Sequence, residues 1–134
     1  GIYLNYTYTE SDAKGITNAD GEERKGLGLP GTAPHMFNAS LSWENERFSA
    51  RISLNHTADY LDELGGSSFE DRYYDKQTFL DANASYKATD NLRIFAEANN
   101  LTNQPLRYYQ GISSRTMQME YYQARFNLGV KLDF

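Results

Sequence analysis

Cysteine is absent, so the side chains able to do chemistry are two histidines, the carboxylates, and three Tyr–Tyr pairs with arginines close by. His35 and His56 would need further partners to form a zinc site or a catalytic triad. None stands at a recognisable spacing from either, so structural polar roles are expected. The carboxylates crowd into two stretches: Glu10, Asp12, Asp20, Glu22 and Glu23, then Asp59, Asp62, Glu63, Glu70, Asp71 and Asp75. Calcium asks for about six to eight oxygens in a ligand rhythm. No such rhythm exists, and Lys14, Arg24, Lys25, Arg72 and Lys76 are interspersed, which reads as solvated loop. No acid, base and nucleophile cluster together, so an enzyme is not expected, and no cofactor or metal is implied. The pairs Tyr73–Tyr74, Tyr108–Tyr109 and Tyr121–Tyr122 lie near Arg72, Arg107 and Arg115. On a strand, one ring of each pair faces one side and its neighbour the other. Rings and guanidinium groups suit sugars, aromatic chelators and anions, so Tyr109, Arg115 and Tyr121 are the expected ligand contacts.

What could position these groups is a set of strands. Backwards from the end, Phe134, Leu132, Val130, Leu128, Phe126, Ala124 and Tyr122 alternate with Asp133, Lys131, Gly129, Asn127, Arg125, Gln123 and Tyr121. That is one strand over 119–134, apolar on one face and charged on the other. It exceeds the usual strand of about 5–6 residues and covers the roughly 9–11 residues of a tilted membrane-crossing strand. The same alternation predicts strands at 2–9, 36–44, 47–57, 77–88 and 92–104. Between them lie long polar stretches at 10–35, 58–76 and 105–118, and short turns at Asn45–Glu46 and Thr89–Asn91. No useful helical periodicity is present. Six antiparallel strands are thus joined long–short–long–short–long. Five N-x-S/T sequons, at Asn5, Asn38, Asn55, Asn83 and Asn100, are a by-product of polar alternation rather than glycan acceptors.

Alternation alone would also suit a soluble barrel with a dry interior. Three features favour lipid outside. The apolar face carries no charge, whereas the other carries Glu44, Arg51, Asp81, Lys87, Arg93, Glu97, Arg125, Lys131 and Asp133. A small closed interior could not solvate nine ions cheaply. Aromatics on the apolar face (Trp43, Phe48, Tyr86 and Phe134, then Tyr8 and Tyr122) gather at strand ends around an alanine-rich middle, as in the girdles of membrane barrels. The chain also stops on an aromatic residue with no tail. Short turns then face the periplasm and long loops the outside. Phe95 faces the polar side, where contact with something inside the barrel is expected.

The chain's 134 residues allow one domain, and its net charge of −5 leaves no basic footprint for nucleic acid. No apolar run reaches the ~18 residues of a membrane helix, and no signal peptide is seen. The strand pattern is already under way at Gly1, so a fragment of a longer polypeptide is expected. Six strands are fewer than the roughly eight of the smallest barrels.

The stretch NLRIFAEANNLTNQPLRYYQG, followed by EYYQARFNLGVKLDF, resembles the C-terminal end of TonB-dependent outer-membrane receptors. Asn100–Leu101 matches their penultimate-strand motif. Phe126, Leu128, Val130, Leu132 and Phe134 match the aromatic-terminated signal read by the barrel-assembly machinery. LPGTAPHMFNASLSW, with Pro34–His35, is similar in a looser way. The resemblance implies an all-β, antiparallel transmembrane β-barrel segment. Residues 1–134 would be the six C-terminal strands of a larger, roughly 22-stranded barrel, with the plug domain and TonB box absent from this stretch. It implies active uptake of a scarce, large nutrient, such as a ferric siderophore, across the bacterial outer membrane. The implied partners are outer-membrane lipid, the remaining barrel strands, the plug, the TonB complex and the barrel-assembly machinery. A passive outer-membrane channel or an adhesin barrel is the alternative.

Overall fold

A computed structural model describes residues 1–18 and 20–133. Every regular element in it is a strand: β1 (Ile2–Tyr8), β2 (Ile16–Thr17), β3 (Glu23–Arg24), β4 (His35–Glu44), β5 (Phe48–Thr57), β6 (Tyr60–Glu63), β7 (Arg72–Tyr74), β8 (Gln77–Lys87), β9 (Leu92–Asn99), β10 (Leu106–Gln110), β11 (Thr116–Glu120) and β12 (Arg125–Leu132).

The six long strands form one antiparallel meander in the order β1-β4-β5-β8-β9-β12. Its register is continuous: Ile2 opposes Leu41, Leu41 opposes Ile52, Ile52 opposes Ala82, Ala82 opposes Ala98, and Ala98 opposes Phe126. One row of apolar side chains therefore runs across all six strands on a single face. The next row, Ser42, Arg51, Asn83, Glu97 and Asn127, runs across β4 to β12 on the other face. Side-chain caps close both short turns. Asn45 Oδ1 accepts from the Arg47 and Phe48 amides, and Thr89 Oγ1 from those of Asn91 and Leu92.

All three long connections leave from the opposite end of the sheet, as the alternation predicted, but they are not simple loops. They build a second, four-stranded sheet in the order β11-β10-β7-β6, and β2 and β3 form a small hairpin. Strands of three to five residues are too short for alternation to register in sequence.

Two strand boundaries differ from expectation. The strand expected over 92–104 ends at Asn99, where Asn100 (φ 56°) and Asn103 (φ 49°) turn left-handed. Asp81 Oδ1 accepts from the Asn100 amide there, and Asn100 Oδ1 from the Gln104 amide. The single strand expected over 119–134 is two strands, β11 and β12, separated by a kink at Gln123 (φ 63°). Asn and Gln reach the left-handed region at some cost in sterics, and alternation carries no sign of it. Phe134 lies outside the described residues.

The buried side chains Ala13, Ala33, Leu61, Tyr109, Asn18 and Asp71 all lie in the long connections. Among the described residues none lies in the six-stranded sheet, which is a wall with two open faces rather than half of a sandwich. Its end strands, β1 and β12, each have one unpaired edge among the described residues.

Candidate functional site

The wall separates two environments. On the apolar face Leu128 is 80% exposed, Val130 69% and Ile52 51%, so these side chains sit on an outer surface rather than in a packed interior. An exposed apolar face of this extent marks an interface with a partner or with lipid. It is bordered by aromatic groups at both ends. Trp43 and Phe48 lie 5.2 Å apart beside the short turns. At the other end Tyr6 stacks with His35 and Tyr8 packs against it at a tilt, and His35 Nδ1 is 2.8 Å from the Tyr6 hydroxyl. His56 makes a similar pair with Thr78 Oγ1, at 2.8 Å. Both histidines thus have local polar partners on the outward rows.

The opposite face is mostly polar, with the rings of Tyr3, Phe79 and Phe95 in its rows. Phe95 faces Gly129 across the β9–β12 pair. A Cβ built on Gly129 would run into Phe95 Cζ, so the ring occupies the space a side chain would take. An aromatic ring over a bare glycine is a known way to hold register in barrels. It gives Phe95 a partner within the wall itself.

The second sheet and the 10–35 connection form a cap above the wall. Its Tyr pairs divide as strand geometry demands. Tyr60, Tyr74 and Tyr108 share one face, with centroids 5.5 Å and 4.8 Å apart. Tyr73 and Tyr109 stack on the other face at 5.2 Å, nearly parallel. Burial raises the phenol pKa of Tyr60, Tyr73 and Tyr74. Tyr109 is raised most, first by burial and then by its hydrogen bond to the Asp59 carboxylate.

At the centre of the cap is Asp71, whose side chain is 1% exposed. Its Oδ1 accepts from Arg24 Nη1 (3.2 Å) and from the Gly65 amide (3.0 Å), and its Oδ2 from Arg24 Nη2 (2.8 Å). Its carbonyl accepts from the Gly111 amide at 2.8 Å. One residue therefore ties all three long connections together. Asn18 Nδ2 to the Gly66 carbonyl (2.9 Å) and the Gly31 amide to the Leu61 carbonyl (2.8 Å) reinforce the first connection. Arg107 to Asp75 (2.6 Å) reinforces the third. The Asp71–Arg24 pair spans 47 residues of sequence, and no local spacing points to it.

The three expected ligand contacts do not converge. Tyr109 is 5% exposed and donates its hydroxyl to Asp59. Arg115 lies over the Phe69 ring at 3.8 Å and donates to the Phe69 carbonyl (2.6 Å) and to Gln110 Oε1 (3.0 Å). Tyr121 is 55% exposed at the kink between β11 and β12. The apolar residues Phe126, Leu128, Val130 and Leu132 all project from the outward face of β12.

The family described as "TonB dependent receptor-like, beta-barrel" matches residues 1–101 of this chain. Two relatives from Vibrio cholerae serotype O1, of the Classical Ogawa and El Tor Inaba strains, are each named iron-regulated outer membrane virulence protein. Each is 36% identical to this chain over 104 residues. The alignment covers 77% of this chain, which spans only 15% of those relatives' length. No solved structure matches.

Proposed function

This chain belongs to the TonB-dependent receptor-like β-barrel family, and on that premise we propose that it is part of the wall and outer cap of an energised importer in the bacterial outer membrane. The observation that carries this is the two-faced sheet with unpaired edges at β1 and β12. In hydrocarbon each unpaired backbone group costs several kcal/mol, so further strands of the same barrel must close both edges. Residues 1–134 would supply the C-terminal strands, and a plug and TonB-binding segment would come from elsewhere in the polypeptide. The polar face then lines a lumen wide enough for the plug. Its ions, such as Arg51, Glu97 and Arg125, would hold the plug by charge-assisted hydrogen bonds.

The cargo is a scarce, large nutrient, with a ferric siderophore the leading class; the naming of the Vibrio relatives as iron-regulated supports it. Of the three contacts, Tyr121 would meet the ligand directly. Tyr109 and Arg115 would act by fixing the cap that faces it. Phe126, Leu128, Val130, Leu132 and Phe134 would form the signal for the barrel-assembly machinery.

The test is growth of a deletion strain on ferric chelates under iron limitation, complemented by the full receptor or its Tyr121→Ala variant. Restored growth that needs TonB supports import. Restored growth that survives loss of TonB points to a passive channel. Equal uptake by wild type and Tyr121→Ala removes Tyr121 from the ligand site.

A further inference from the structure

A cavity of about 360 Å³ opens between the 10–35 connection and the outer edge of β6. Three tyrosine rings, Tyr8, Tyr60 and Tyr73, and two carboxylate residues, Glu10 and Asp59, line it, and no Lys or Arg does. The two cap arginines Arg24 and Arg107 are committed elsewhere: Arg24 pairs with Asp71 and Arg107 with Asp75. Asp59 accepts the Tyr109 hydroxyl on Oδ2, which leaves Oδ1 free among the described residues. Glu10 has no ion pair or side-chain hydrogen bond among the described residues.

We propose that this cavity is a binding site for an organic ammonium group, either a free amine or the cationic arm of a larger ligand. The faces of aromatic rings attract cations, most strongly where water is partly excluded. Two uncompensated carboxylates add to that attraction and repel anions. A bare divalent metal ion fits poorly, because it needs about six or more oxygens and the rings supply no carbonyl or carboxylate. A neutral ligand would leave both carboxylates without a counter-charge. The site sits at the β6 edge, lined by neither Arg115 nor Tyr121, and meets Tyr109 only from behind, through Asp59 and Tyr73. An ammonium site here could exist whether or not the receptor imports iron chelates, so the two ideas fail separately.

The experiment titrates the full receptor in detergent with tetramethylammonium and with putrescine at constant ionic strength, read by saturation-transfer NMR. Asp59→Asn and Glu10→Gln keep side-chain shape, and the Asn oxygen can still accept from Tyr109. Saturable binding is expected, weakened about fivefold by each variant, the size of one lost partly exposed ion pair or cation–ring contact. Asp20→Asn, which removes a carboxylate outside the cavity, should bind as the wild type does. Absence of saturable binding overturns the proposal. So does equal binding by the wild type and both cavity variants, or an equal loss in Asp20→Asn, which would mean diffuse charge attraction only.

Discussion

Asp71→Asn changes one atom at the point where the three long connections meet. The carboxylate accepts three hydrogen bonds, two on Oδ1 and one on Oδ2. An amide can put its oxygen at Oδ1 and keep the Gly65 and Arg24 Nη1 bonds. Its nitrogen then faces Arg24 Nη2, donor against donor, where a 2.8 Å charge-assisted bond stood. A hydrogen bond to a charged group contributes about 1.5–3 kcal/mol. Burying an amide in place of a carboxylate offsets part of that loss. A net cost of about 2 kcal/mol is expected, which raises the population of the opened cap about thirtyfold. The assay is amide hydrogen exchange of the full receptor in detergent, which reads local opening directly. The amides of Ala13, Gly31 and Gly111 report, since each bonds across or within the long connections. The Lys87 amide, bonded to the Arg47 carbonyl at the far end of the wall, should not change. Asp62→Asn is the matched control. Its partner Arg72 is 2.7 Å away but 40% exposed, so the pair stabilises little. An Asp71→Asn effect below about threefold, or one no larger than that of Asp62→Asn, would refute the idea that Asp71 holds the cap together.

Three other outcomes are expected. Leu128→Arg puts a cation on the hydrocarbon face and should cost about 2–4 kcal/mol in urea unfolding from lipid vesicles, while Asn127→Arg, on the lumen face opposite Glu97, should cost little; equal costs would mean the faces are misassigned. Gly129→Ala drives a Cβ into the Phe95 ring and should cost about 1–3 kcal/mol, seen as a loss of heat-modifiable folded receptor on gels, with Phe95→Ala in the same chain restoring most of it. The folded Tyr109 phenol holds its proton above the ordinary value of 10.0 through burial and Asp59, so its stabilisation is complete below about pH 10 and is lost as pH rises beyond it. Asp59→Asn should therefore lower the alkaline midpoint of the cap tyrosines in tyrosinate absorbance, and an unchanged midpoint would exclude Asp59 as a cause.

How the outward and inward faces alternate was legible from the chain alone. In strands such as β5 and β12 a period of two assigns every side chain to one of two sides. The lengths of the connections then fixed which end carries the cap. The division of Tyr73 from Tyr74, and of Tyr108 from Tyr109, followed from the same period. Other features were invisible because they depend on contacts distant in sequence. Arg24 meets Asp71 across 47 residues. The kink at Gln123 breaks a strand whose alternation continues through it, and the turn at Asn100 is held by Asp81, which lies 19 residues away in sequence. Phe95 looked out of place until folding set Gly129 beneath it. Local periodicity records only what each residue does relative to its neighbours in the chain. Which loops share a buried carboxylate, and which ring covers which glycine, is decided when the strands pair and bring those groups within a few ångströms of one another.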